Sequence, residues 1–373
     1  DDIETPSAIG QIPVSRRKEK NNQMAKAVIL NDTRGDNHFG CFRVMRIIEE
    51  NLARRGIEVT GRSLVRSDWQ SDAAFLAAMA QADLIVINGE GTLHHGARQG
   101  EKLLAVVDHP ARGKKPVALI NALYQNNPDS WARYLEKIDL ISTRDAWSAA
   151  AATAHAGGPV GHVPDLSLGE GAAEPTRKGR GDLVLIGDSV IRSVSKRLLA
   201  LADSRPDARF LPILTTIKPA KPHFRQPFRA LRDAYIRVHA QAFRLRHPHV
   251  VFNRDETGFI DSLQKGALHA TGRFHSICLC LVTGTPFIAL ESNSWKIRAL
   301  LDEFGLGHDR LVGIDDLPAR LDDPHLRQFS VQEQAAIAKR LSDCVAETQS
   351  MFDRIADLAR TKPIASEDQP AGL

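Results

Sequence analysis

Short, nearly continuous apolar runs alternate along this chain with longer stretches in which apolar residues recur every three or four positions. The first pattern predicts strands buried on both faces, and the second predicts amphipathic helices. In the first half, strands are expected over 26–31, 57–65, 83–88, 116–121 and 139–143. Helices are expected between them over 41–55, 72–80, 99–107 and 130–137, with an alanine-rich one ending at 156. The helix over 41–55 carries the stripe Val44, Ile47, Ile48 and Leu52, and Gly56 closes it.

After a Gly-, Pro- and charge-rich break the pattern restarts. Strands are expected over 182–189, 209–214, 250–252, 267–271, 287–290 and 310–314. Helices are expected over 194–202, 258–265, 277–282 and 296–304. A long amphipathic helix follows over 331–360. Strands alternating with helices imply mainly parallel sheets covered on both faces. The expected fold is α/β, with two Rossmann-like domains facing an inter-domain cleft and a C-terminal helix, which is the GT-B architecture. Its divisions are a disordered leader or upstream extension (1–23), an N-terminal domain (24–170), a linker (171–181), a C-terminal domain (182–325), the helix (326–360) and a disordered tail (361–373).

Composition adds little to this picture. With 43% hydrophobic and 25% charged residues among 373, the chain is of globular type and long enough for two cores. No apolar run approaches the roughly 20 residues that span a bilayer, and the N-terminal segment lacks a signal-peptide core. Cys41, Cys278, Cys280 and Cys344 fit neither a disulfide framework nor a zinc spacing, which points to a reducing cytoplasm.

The net charge of +4 is modest but uneven. Between 218 and 249 basic residues face a single acid, Asp233, and Phe228, Leu231, Tyr235, Val238, Ala242 and Leu245 recur at helical spacing among arginines. Two readings compete, a solvated face over a core stripe and a helix lying on anionic lipid. Nucleic-acid binding is disfavoured by the few aromatics and the lack of a known module.

The densest chemistry lies at strand ends. The first domain supplies the loop 32–38 with Asp32 and Asp36, then Glu90 and His94 in the glycine-rich turn after the third strand, and Arg144. The second supplies Arg273 and His275 in a Gly-Arg-x-His turn, and Lys296 beyond a Gly-Thr-Pro break. Several cations at strand ends and helix N-termini suggest a ligand carrying phosphate or carboxylate. His275 adds a proton donor or acceptor. No dinucleotide or P-loop glycine motif appears, and adjacent His94 and His95 lack the spacing of helical metal ligands, so no metal is expected.

The segment 271–276, Thr-Gly-Arg-Phe-His-Ser, together with 284–296, Gly-Thr-Pro-Phe-Ile-Ala-Leu-Glu-Ser-Asn-Ser-Trp-Lys, resembles the C-terminal signature of the polysaccharide pyruvyltransferase family. Asn88-Gly-Glu-Gly-Thr-Leu-His94, Ser142-Thr-Arg-Asp145 and Pro164-Asp-Leu-Ser-Leu168 are similar to its N-terminal half. The resemblance implies a GT-B-like transferase that moves the enolpyruvyl group of phosphoenolpyruvate onto a sugar. The product is a pyruvate ketal on a cell-surface polysaccharide or its lipid-linked precursor.

It further implies His275 as catalytic or donor-binding, Arg144 and Lys296 as donor-binding, and Asp32 or Asp36 as the first-loop acid. Arg273, Glu90, His94 and Asn293 join them as substrate-binding candidates. Phosphoenolpyruvate is then the donor substrate and no cofactor is expected. A cytoplasmic enzyme is implied, with peripheral membrane contact through 218–249 open. Many relatives carry an Asn-x-Gly-Asp-Glu first loop, whereas this chain reads Asp32-Thr-Arg-Gly-Asp-Asn-His-Phe-Gly40, leaving the acceptor and the choice between the two acids open. The alternative on the same scaffold is a glycosyltransferase using a nucleotide sugar.

Overall fold

The computed structural model describes residues 24–174, 181–214 and 225–361. The expected leader, most of the linker and nearly all of the tail lie outside the described residues.

In the first half, β1 (Ala25–Asp32), β2 (Ile57–Leu64), β3 (Leu84–Asn88), β4 (Val117–Ala122), β5 (Leu140–Thr143) and β6 (Gly161–His162) form one sheet, ordered β2-β1-β3-β4-β5-β6. Every pairing in it is parallel. Residues of β3 and β4 are buried throughout, which is why those strands read as unbroken apolar runs. The helices are α1 (Phe39–Arg54), α2 (Ala73–Gln81), α3 (Arg98–Leu104), α4 (Ala132–Leu135) and α5 (Ala146–Thr153). The helix expected over 130–137 shrinks to four residues behind a 3-10 turn.

In the second half, β7 (Val184–Ser189), β8 (Ala208–Phe210), β9 (Leu268–Gly272) and β10 (Phe287–Ala289) form a parallel sheet ordered β10-β9-β7-β8. Around it lie α6 (Arg192–Ser204), α7 (Gln226–Arg246), α8 (Glu256–Lys265), α9 (Phe274–Thr283), α10 (Lys296–Glu303) and α11 (Leu317–Arg320).

Two expected strands are reduced to isolated bridges, Phe210 with Val250 and Ala289 with Leu311. At the second, Arg310 turns its side chain inward and donates to the carbonyls of Phe287, Leu326 and Gln328 and to Glu333. Backbone that would extend the sheet there gives way to a guanidinium hub.

The last helix, α12 (Val331–Arg360), begins in a capping box, with Ser330 and Glu333 each accepting from the other's backbone N–H. Its first half joins the second-half core through Ile337, Leu341 and Cys344. Its second half crosses back and packs Met351, Phe352, Ile355 and Ala356 among residues of β1, β3, β4 and α1. The two halves are also locked by Arg43, which donates to the Ser167 carbonyl at 2.6 Å and pairs with Glu256 at 2.5 Å. A second lock joins His162 and Arg340 to Glu303, at 3.1 and 2.6 Å.

Phe352 is fully buried. Phe352→Ala is expected to cost about 3–5 kcal/mol in urea unfolding. A loss under about 1 kcal/mol, far below that range, would show that the returning end of α12 is no part of the first core.

Candidate active site

Parallel strands of both halves end on one cleft, where loops and helix N-termini gather. Arg144 follows β5, Glu90 follows β3, His38 caps α1, His275 lies in the first turn of α9, and Lys296 begins α10. At their centre is Asp165, whose side chain has no exposure, from the segment between β6 and the linker.

His275 Nε2 lies 3.5 Å from Asp165 Oδ1 and 3.8 Å from Glu90 Oε1. Arg144 Nη1 reaches the other Asp165 oxygen at 3.4 Å, and its guanidinium stacks over Phe274, 4.4 Å from the ring centre. Burial alone would push the Asp165 carboxyl up. The charges and hydrogen bonds of His275, Arg144 and Ser167 outweigh it and hold Asp165 well below the usual carboxylate range. Asp165 also accepts from the Ser167 amide at 3.0 Å, so it caps a local turn as well.

Glu90 is buried and sits at φ +34°, a left-handed conformation costly for a non-glycine residue. It is held there by Asn88 Nδ2 at 3.2 Å and by the Cys41 thiol, which donates to Oε1 at 3.0 Å. Gly40, beside it on α1, has no room for a side chain, because a Cβ there would overlap the His275 ring. His38 packs edge-on against the same ring, centroids 5.1 Å apart. Burial, then the neighbouring charges of His275, Arg273 and Lys296, keep the His38 imidazole neutral.

The cations crowd one another. Lys296 is pushed down to about 7 by burial and by Arg144 and Arg273. Its Nζ donates to Asn293 Oδ1 at 2.8 Å. His94 is pushed down to about 4 by burial and by His95, Lys296 and Arg144. Arg144 is 4% exposed, and its Nε and Nη2 find no hydrogen-bond partner among the described residues. Buried guanidinium N–H groups left in this state are costly. Arg273 differs, since Asp188 takes its Nε at 2.6 Å and its Nη2 at 2.5 Å.

Of the expected site residues, His275, Arg144, Glu90, His94, Lys296 and Asn293 gather here, with Arg273 close behind. Asp32 turns instead to Arg34, which donates to both its oxygens and reaches on to Glu49. Asp36 pairs with Arg66 at the rim of an adjoining inter-domain cavity of about 790 Å³. That cavity is also lined by His38, Asp188, Arg192, Lys196 and Arg273.

Sequence reasoning left out His38, Cys41, Asp165 and Asp188. Asp165 and His38 lay in the quoted stretches 164–168 and 32–40, and Asp188 at the end of the expected strand 182–189. His38, Cys41 and His275 bring three possible metal-ligand atoms within 4.8 Å of one another, although Cys41 is separated from His275 by 234 positions. Burial and Glu90 push the Cys41 thiol well up, so it stays protonated in this arrangement. All four cysteines are free and buried.

Fold and site together define a GT-B-like α/β protein with a cationic cleft between its halves. The UDP co-structure of S. aureus MnaA matches with a TM-score of 0.53 over 91% of this chain and 99% of its own, at 10% identity. The α,α-trehalose 6-phosphate synthase of Burkholderia multivorans matches with a TM-score of 0.49 over 90% and 96%, at 13% identity. At such identity the likeness concerns the fold alone. A search of curated proteins gives no match. The family model for polysaccharide pyruvyl transferase matches residues 10–294, and the chain belongs to that family.

Gly40→Ala is expected to displace His275. Activity should fall at least about 100-fold, the scale of losing one positioned acid–base group, while far-ultraviolet circular dichroism stays native. Full activity in this variant would mean that the ring position is not critical.

Proposed function

We propose that the protein transfers the enolpyruvyl group of phosphoenolpyruvate to a sugar of a bacterial surface polysaccharide or its lipid-linked precursor, ending in a pyruvate ketal. The observation that carries this reading is Arg144, buried with two guanidinium nitrogens unpartnered among the described residues, beside Lys296. A donor bearing both phosphate and carboxylate would satisfy those donors and offset the mutual repulsion of the cations.

In the proposed reaction the donor's methylene carbon takes a proton while a sugar hydroxyl oxygen bonds to the adjacent carbon. The bond from that carbon to the phosphate oxygen breaks, and a second hydroxyl closes the ketal. The two hydroxyl protons end on the new methyl group and on the departing phosphate. His275, between Asp165 and Glu90, is the group for proton transfer, and Arg144 and Lys296 neutralise the phosphate and carboxylate. Asp36, at the rim of the cavity, is better placed than Asp32 to meet an acceptor hydroxyl. No cofactor enters this scheme.

Thermal unfolding with phosphoenolpyruvate and with a panel of nucleotide sugars tests the donor. Ligand at about 100 times its dissociation constant adds roughly 2.7 kcal/mol. Stabilisation by phosphoenolpyruvate, lost in Arg144→Met, is expected. Stabilisation by a nucleotide sugar but not by phosphoenolpyruvate would leave a glycosyltransferase on the same scaffold.

The pH dependence has a definite sign. Free Lys296 titrates at about 7, against 10.5 ordinarily. Without ligand, its lowered value costs the fold stability as pH falls from 10.5 towards 7, because the charged form is disfavoured in the native state. A bound donor carrying phosphate and carboxylate raises the value again. Donor binding should therefore take up a proton above pH 7 and weaken as pH rises towards 9, by at most about tenfold per pH unit. Calorimetry in buffers of different ionisation enthalpy should show that uptake, and Lys296→Met should abolish it.

A further inference from the structure

The stripe of Phe228, Leu231, Tyr235, Val238 and Leu245 on α7 covers no core. These residues are 63, 68, 53, 64 and 86% exposed, and no residue of the helix is fully buried. At about 100° per residue they fall within one sector of the helix surface. Exposed Arg246 falls at one edge of that sector, on the azimuth of Phe228, and exposed Arg237 and Arg244 stand about 80–100° beyond the other edge. The helix holds five arginines and one acid, Asp233. Adjoining the Phe228 edge, the next face of the helix turns inward, where Arg232, His239 and Phe243 line the inter-domain cavity. Contiguous exposed apolar surface rimmed by one sign of charge marks an interaction site.

We propose that α7 lies in the interface of an anionic lipid bilayer, its apolar sector entering the head-group boundary and its flanking arginines pairing with lipid phosphates. This composition, an apolar face of Phe, Leu and Val bordered by Arg, is that of an interfacial helix. A second copy of the chain fits less well. A two-fold interface would set the same arginine flanks against each other. Because the inner face of α7 is a wall of the cavity, a bilayer held by the outer face lies beside the cleft. A lipid-linked acceptor head would then reach the site without leaving the membrane. Docking rests on α7 alone and does not depend on the donor assigned above.

Flotation of the full chain with neutral phosphatidylcholine vesicles and with vesicles containing phosphatidylglycerol tests this. Binding to the anionic vesicles, weakened by salt and absent with the neutral ones, is expected. Replacing Arg237, Arg244 and Arg246 with Gln should lower partitioning roughly 100-fold. Leu231→Glu with Val238→Glu should abolish it, with thermal unfolding and phosphoenolpyruvate stabilisation unchanged. Failure of the wild-type protein to float, or flotation that neither variant reduces, overturns membrane docking. So does a wild-type dimer in sedimentation that the Glu variant converts to monomer.

Discussion

A carboxylate wholly removed from water organises this molecule. Asp165 remains ionised in that setting only because Arg144 and His275 approach it from two sides. Arg144 comes from the loop after β5 in the first half and His275 from α9 in the second, so the compensation exists only while both halves are seated together. Docking of the halves and assembly of the site are thus one event. The Arg43 and Glu303 locks hold the same seam at two other points.

Around this pair the cleft gathers more positive charge than it neutralises. Asp188 is committed to Arg273, and Asp165 is shared between Arg144 and His275. Lys296, held down first by burial and then by Arg144 and Arg273, gains only a weak opposing influence from Glu90. The two guanidiniums carry their charge before any ligand arrives. Lys296, pushed down to about 7, is only partly protonated at neutral pH.

Much of the architecture was legible in the sequence because parallel strands buried on both faces leave unbroken apolar runs, as in β3 and β4. The bounds of α12 were legible for a local reason too, the Ser330–Glu333 capping box. The segments 250–252 and 310–314 misled because a strand needs a neighbour to pair with, and Arg310 spends its surroundings otherwise. His275, Arg144 and Lys296 were visible through motifs at strand ends. Asp32 stands at a strand end as they do, but its carboxylate is committed to Arg34, a pairing that strand-end position alone does not reveal. His38, Cys41 and Asp188 matter only through neighbours far away in the chain, which no local pattern carries. The stripe on α7 has the period of a core helix, and period does not tell which surface, if any, will cover it.

Among the described residues the chain passes between the halves after Leu168 and again within α12. The crossings touch, since a Cβ on Gly169 would stand 2.9 Å from Thr348 Oγ1 and one on Gly171 would stand 3.2 Å from Val345. Farther along the seam Trp147 and Trp295 face each other edge-on, ring centroids 5.7 Å apart. Trp295 immediately precedes Lys296, and its amide donates to Gln125 Oε1 at 3.2 Å. The backbone that presents the lysine to the cleft is therefore anchored on the other half by an indole and an amide side chain.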